Sequence, residues 1–402
     1  MTGAQRRTLV ACILGSGIVF LDTTVVNVAL PAIADDLDAG LTAQQWIVEA
    51  YLLTLGSLIL VGGSLGDLLG RRQVFAVGVT GFGACSLLCA LAPSSGALVA
   101  ARAAQGVAGA LLVPSTLALI MDTFAERERG AAIGSWTAWT GVATVVGPIG
   151  GGLLLEAASW RWIFAINLAP AVATLWFLRA APAGHRQAGT PIDWPGAALC
   201  ALGLAGPVLA LTEQPDRGWG DPLVVGPLAA GLALLAGFWW RERRAPAPML
   251  PLSMWRARNF SVGNVATFLL YGGLNVATLF LVVFLQQVGG FSPVAAGAAL
   301  MPVTLVMLLL SKRFGALADA HGPRRFMGYG ALLAGAGLLL LLRVDATPSY
   351  VTEVLPGVLL FGFGLAVTVA PLTAAILSAA GVAHAGVGSG VNNAVARVGG
   401  ML

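Results

Sequence analysis

The amino-acid sequence predicts an all-α membrane protein: two pseudo-symmetric six-helix bundles with two extra helices between them. Three observations carry this expectation. Only 10% of the 402 residues are charged and 57% are hydrophobic, whereas a soluble domain carries about 25% charge. Apolar runs of roughly 20 residues recur along the chain, each long enough to cross a ~30 Å hydrocarbon core. A charged loop signature also occurs twice, once in each half. Lipid offers backbone amides no partner, so spanning segments are helices or closed barrels. Runs that are continuous rather than alternating exclude a barrel.

Charged or Pro/Gly-rich breaks set the spans at 8–31, 44–66, 73–92, 96–121, 131–155, 161–179, 194–213, 222–240, 260–287, 293–314, 325–342 and 352–378, with a thirteenth starting near 386. Arg6 and Arg7 before an apolar stretch resemble the start of a signal peptide. The stretch is too long for a cleavable core and carries Asp22, so it reads as a retained first helix. Arginines of alternate breaks, among them Arg6, Arg7, Arg71, Arg72, Arg127, Arg129, Arg241, Arg243 and Arg244, fall on the side of the N-terminus; Arg161, Arg217 and Arg343 fall on the other. That asymmetry predicts a multi-pass protein of the cell (inner) membrane with a cytoplasmic N-terminus. The net charge of +4 sits in these short breaks and does not indicate a nucleic-acid partner. Cys12, Cys85, Cys89 and Cys200 lie in apolar runs and read as small fillers.

Residues 63–72 follow G-x-L-x-D-x-x-G and two arginines, and residues 315–325 repeat the pattern with one added residue. Pro114-Ser115-Thr116 is echoed by Pro371-Leu372-Thr373, and Gly130 by Gly386, at nearly the same offset. The chain therefore divides into a six-helix bundle (1–180), two inserted helices with their loops (181–259) and a second bundle (260–402), as in transporters built from repeats. The offset predicts that the second bundle is incomplete here, with helix 13 cut and helix 14 absent.

An Asp inside an apolar span is costly and a functional candidate by default. At 1.5 Å per residue, Asp22 lies ~22 Å from the N-terminal side, and Arg102 ~9 Å from the other. In a ~30 Å core these depths nearly coincide, and Glu49 falls at a similar level. A carboxylate moved between buried and arginine-paired settings loads and releases a proton. Asp22 is the first candidate for that role and Glu49 the second; a static ion pair and an interfacial residue are the plainer readings. Gly147, Pro148, Gly151 and Gly152 suit a closely packed, bendable seam between halves, or ordinary small-residue packing. Gly63, Asp67, Gly70, Arg71 and Arg72, with Asp319, Arg324 and Arg325 in the repeat, suit a charge network that latches one conformation, or solvated loop charges. Asn27, Gln105, Trp136, Tyr271, Asn275 and Asn392 are candidates for a substrate path; hydrogen bonding between helices explains the polar ones about as well.

Together these motifs resemble the major facilitator superfamily. Gly63–Arg72 resembles its cytoplasmic-loop signature, and Arg102-x-x-Gln105-Gly106 its fourth-helix motif. Gly147-Pro148-x-x-Gly151-Gly152 resembles the fifth-helix antiporter motif, although Ala143 stands where glycine is preferred. Leu21–Pro31, Asp193–Gly196 and Gly386–Asn393 are similar to the fourteen-helix drug/proton antiporter branch. The resemblance implies a monomeric, proton-coupled exporter of small hydrophobic or cationic compounds, with Arg102 assisting proton transfer. A same-fold carrier of an endogenous metabolite and a non-functional fragment are the alternatives. No phosphate loop, nucleophile elbow or Cys/His cluster occurs, so no enzyme activity, cofactor or metal is expected.

Overall fold

Every predicted span is helical in the computed structural model, which describes residues 1–182, 192–246, 248–345 and 348–401. Residues 183–191, inside the segment assigned to the insertion, lie outside the described residues. The first group comprises α1 (Gly3–Leu37), α2 (Leu41–Leu69), α3 (Arg71–Ala90), α4 (Ser95–Thr123), α5 (Glu126–Ala157), and the short α6 (Arg161–Ala165) and α7 (Leu168–Leu178), which share one span. Next come α8 (Trp194–Arg217) and α9 (Pro222–Glu242). The last group comprises α10 (Arg258–Gln287), α11 (Pro293–Ala298) and α12 (Met301–His321) in one span, α13 (Pro323–Leu341), α14 (Leu355–Ala380) and α15 (Ala385–Met401). Among the described residues no strand occurs, and eleven helical segments are long and apolar enough to cross a membrane.

Large apolar side chains cover the outer faces, among them Leu232, Leu269, Phe280, Leu309, Leu332 and Leu339. In water such a surface would aggregate; here it is the surface that meets acyl chains. The interior is centred on α4 and α14, the most enclosed helices of their groups. Both contain an internal proline, Pro114 and Pro371, tolerated in spanning helices because neighbours satisfy the freed carbonyl.

The repeated loop has one geometry in both copies. α2 turns into α3 at Gly70, with φ +107°, and α12 turns into α13 at Gly322, with φ +83°. Positive φ penalises any side chain with a Cβ, so glycine fits both corners.

α8 and α9 pack on each other, and α8 leans on α2. Asp193 caps α8 through the Gly196 N–H (2.9 Å) and pairs with Arg241 at the end of α9 (2.7 Å). Burial pushes its carboxyl up, but Arg241 and the Gly196 N–H outweigh this and hold it below the usual carboxylate range. The Asp193-Trp194-Pro195-Gly196 sequence is thus a helix start, with a capping acid followed by proline in the first turn.

The first and last helical groups meet along two seams, α2 on α15 and α5 on α12. Both are built from glycine. A Cβ on Gly63 would strike the Gly386 carbonyl, and one on Gly315 the Gly130 carbonyl; Gly134 lies as close to Ser311. The antiporter-motif glycines are not in either seam, which corrects the expectation for them. Gly147 packs on Leu21 and Thr24 of α1 and Gly151 on Val25, while Gly150 and Gly152 have open space. Pro148 is exposed and leaves α5 unbroken. Small residues mark a close approach without naming the neighbour, and here that neighbour is α1 of the same group.

Gly315→Leu would force α5 and α12 apart. The expected cost is about 1–3 kcal/mol of overpacking, read as a lower thermal midpoint in detergent, whereas Gly152→Ala leaves the midpoint unchanged.

Candidate functional site

Asp22 belongs to the inward stripe of α1, which buries Gly15, Ile18, Val19, Asp22, Val25, Val26, Ala29 and Ile33 at helical spacing. Arg102 and Gln105, three residues apart on α4, share one buried face. The two stripes bring Asp22 (0% exposed) and Arg102 (1% exposed) together. Arg102 Nη1 donates to Asp22 Oδ2 at 2.5 Å and to Gln105 Oε1 at 2.7 Å, and its Nε donates to the Ile47 carbonyl at 3.0 Å. The guanidinium lies 4.2 Å over the Tyr51 ring. Asp22 Oδ1 accepts from Gln105 Nε2 at 3.1 Å and from Asn167 Nδ2 at 3.0 Å. Both amides also reach Ser86 Oγ, at 2.9 and 3.3 Å. The depth argument for Asp22 and Arg102 thus describes a real contact.

Glu49 does not join them. It is half-buried on the side of α2 that faces α8, where the neighbouring charges are Glu213 and Asp216. Depth counting gives a layer but not a direction around the helix, and this corrects its grouping with Asp22. Gln105 belongs to the carboxylate network rather than to an open path. Asn27 is exposed and bonds back to the Thr23 carbonyl (3.3 Å). Asn392 donates to Asn264 and Thr267 (3.3 and 2.9 Å), and Asn275 to the Gly400 carbonyl (2.8 Å), so both tie α10 to α15.

Trp136 and Tyr271 do line a common space. A cavity of about 240 Å³ opens between α1, α5, α10, α12 and α14, bounded by Phe20, Trp136, Thr140, Tyr271, Met307 and Thr373. Trp136 is held by a bond from its Nε1 to Ser16 Oγ (2.9 Å) and stands edge-on to Phe20. Thr137 Oγ1 is buried beside the cavity without a hydrogen-bond partner. The wall is largely aromatic and aliphatic with a few hydroxyls, a lining suited to an apolar or amphipathic guest.

At the arginine-rich end the loop signatures close both seams. Asp67 accepts the N–H groups of Gly386 (3.0 Å) and Val387 (2.9 Å) at the start of α15. Asp319 accepts those of Gly130 (2.9 Å) and Ala131 (3.1 Å) in the second turn of α5. Asp67 thus meets first-turn donors without intrahelical partners and the positive end of the α15 dipole, whereas Asp319 sits one turn further along α5.

The arginines behave differently in the two copies. Arg71 is fully buried; it pairs with Asp67 (2.7 Å) and Asp122 and also bonds to the Ala118 and Val382 carbonyls. Arg72 only reaches the Arg179 carbonyl at 3.5 Å. In the second copy Pro323 takes the place of Arg71, and Arg324 and Arg325 are exposed and make no hydrogen bond or ion pair among the described residues. A cavity of about 330 Å³ remains there, bounded by Asp319, Glu126, Ala375 and Ala379, at repeat positions matching Asp67, Val382, Ala118 and Asp122. The extra proline moves the arginine pair one residue along and out of the latch, which corrects their predicted role.

Asn167, Ser86, Tyr51 and Asp122 escaped the sequence reading. Asn167 had a usable signal: an amide side chain in an apolar run, three residues before Pro170.

Apolar helices in two groups, a cavity between them and a buried ion pair define a polytopic membrane transporter. The sequence matches the Major Facilitator Superfamily profile over residues 12–402. It is 39% identical over 399 residues to the puromycin resistance protein of Streptomyces alboniger, covering 98% of this chain and 79% of that one. It is 38% identical over 406 residues to the tetracenomycin C resistance and export protein of Streptomyces glaucescens, covering 100% and 75%. Among solved structures, the human organic anion transporter MFSD10 aligns with a TM-score of 0.68 at 18% identity, over 100% of this chain and 92% of that one. The proton:xylose symporter XylE aligns at 0.65 with 16% identity, over 98% and 86%; these two likenesses speak to the fold. The chain belongs to the major facilitator superfamily, a family of transporters rather than enzymes.

Arg102→Leu leaves Asp22 buried without its counter-charge and should cost about 3–5 kcal/mol, measured by thermal unfolding in detergent. Adding Asp22→Asn should recover part of that loss, and Glu49→Gln should stay within about 0.5 kcal/mol of the parent.

Proposed function

We propose that this chain is a proton-coupled exporter of small hydrophobic or cationic compounds of the antibiotic class, working by alternating access. The observation that carries the reading is the Asp22–Arg102 pair, sealed among apolar helices one helical turn or less from Phe20 of the cavity wall. An isolated intramembrane carboxylate is strongly disfavoured unless it is paired or protonated. Displacing Arg102 or its amide partners therefore drives proton uptake by Asp22, and restoring them drives release. The relatives that are named as resistance and export proteins for puromycin and tetracenomycin C support cargo of this chemical kind.

In this reading the closed seams at the arginine-rich end belong to one state of the cycle. We place that end in the cytoplasm, with the carrier acting as a monomer in the inner membrane and the guest space facing away from the cell interior. The domain division at 1–180, 181–259 and 260–402 fits this reading, because the two outer segments carry the two sides of each seam.

In proteoliposomes with an imposed pH gradient, the chain should extrude puromycin or ethidium, and dissipating the gradient should stop extrusion. Asp22→Asn should abolish gradient-driven movement; coupled transport retained by that variant removes Asp22 from the role. Asp67→Asn with Asp319→Asn should raise labelling of a cysteine placed at Thr373 by an impermeant maleimide applied from the arginine-rich side.

A further inference from the structure

We infer that Asn167 holds Asp22 in both of its protonation states, giving an amide N–H to the carboxylate and turning over to accept the O–H of the acid. The inference rests on Asp22 being the proton carrier.

The backbone sets the position. Pro170 has no N–H to offer the Ile166 carbonyl, so the span breaks between α6 and α7 at Ile166 and Asn167. Asn167 is left at the start of α7, 1% exposed, with its amide against Asp22. Interrupted helices at membrane depth are tolerated where protein surrounds them.

The hydrogen-bond inventory then singles out one atom. An ionised carboxylate only accepts, and Asp22 accepts from Arg102, Gln105 and Asn167. The protonated acid must give away one O–H. Gln105 Oε1 already takes Arg102 Nη1 (2.7 Å) and the Cys89 thiol (3.6 Å). The Ile47 carbonyl takes Arg102 Nε, and Ser86 Oγ takes both amides. Asn167 Oδ1 is buried with no partner at all. A lone buried acceptor is unfavourable, and this one sits on the same amide that now gives its N–H to Asp22.

Rotation of the Asn167 amide about its terminal torsion exchanges N–H for oxygen at nearly the same place. The proton arrives from solvent, adds to a carboxylate oxygen and is donated as O–H to Asn167 Oδ1. The Ser86 hydroxyl can then donate to the same oxygen in place of accepting from Nδ2. Release reverses each step, with the proton returning to solvent. Gln105 is not free to do this while Arg102 stays in place, because its oxygen is held by a charge-assisted bond from Arg102; Asn167 Oδ1 is open before any displacement of Arg102. The other titratable groups facing Asp22 are Arg102 from α4, Tyr51 from α2 and Cys89 from α3. Asn167 is thus a positioning residue for the proton site.

The test is infrared difference spectroscopy of the purified chain in nanodiscs across an acid titration, with no transported compound present. The expected result is a protonated-carboxyl C=O band that is lost in Asp22→Asn, moves to higher wavenumber in Asn167→Leu and stays near its parent position in Asn167→Thr, whose hydroxyl can donate or accept. In the parent protein carrying ¹³C-labelled asparagine side chains, an amide C=O band should shift to lower wavenumber on acidification, and this shift should vanish in Asp22→Asn; this measurement does not depend on the folding of an Asn167 variant. An Asp22-dependent carboxyl band that Asn167→Leu leaves in place, or a labelled amide band that does not move, overturns the inference while sparing Asp22 as proton carrier. Absence of any Asp22-dependent band overturns both.

Discussion

The first helical group is organised around one unfavourable act, the burial of a carboxylate and a guanidinium away from water. Each ion loses several kcal/mol of solvation on burial, and the pair is tolerable only because each polar atom around it is nearly satisfied. Arg102 is met by Asp22, Gln105, the Ile47 carbonyl and the Tyr51 ring, and Asp22 by two amides besides. Those partners come from α1, α2, α4 and the α6–α7 break, with Ser86 of α3 behind them. Moving any of these helices by a residue would strand a charge. The network therefore fixes the mutual register of the group, which apolar packing against lipid-like neighbours does weakly.

The second group is tied to this one by close backbone contact as well as by apolar packing, with Leu60 and Val61 of α2 in one buried cluster with Val387 and Val391 of α15. Glycine on glycine at Gly63–Gly386 and Gly130–Gly315 brings carbonyls against the facing helix. Asp67 then accepts the first-turn N–H groups of α15, and Asp319 accepts two N–H groups near the start of α5. The directional bonds of the seams lie at one end, and the space between the groups is left for the aromatic cavity of Trp136 and Tyr271.

The helices were legible because lipid leaves the chain little choice: a run of twenty apolar residues must satisfy its own amides. Asp22 and Arg102 were legible because depth can be counted from either surface. What depth counting lacks is the angle around the helix axis. Glu49 shares the layer but faces α8, and Gln105 proved to serve the ion pair. Gly147 and Gly151 announced a close approach without identifying α1 as the neighbour. Arg71 and Arg72 are adjacent in sequence, yet the corner at Gly70 turns only Arg71 inward onto Asp67. Asn167 was passed over because an amide in an apolar span reads as generic polarity until the proline behind it is seen to open the backbone.

The unequal loop copies have a mechanical consequence. In the proposed alternating-access cycle, separation of α15 from α2 leaves Asp67 with Arg71, since both belong to the first group. Separation of α5 from α12 in that cycle takes away both donors of Asp319 and, on the same helix, the nearby Arg129 charge. The space of about 330 Å³ beside it, lined by Asn259, Ser378 and Glu126 among alanines and prolines, is roomy enough for several waters. In the proposed cycle one seam opens onto a ready-made counter-ion and the other onto a carboxylate without one, so the two sides of the gate are electrostatically unequal.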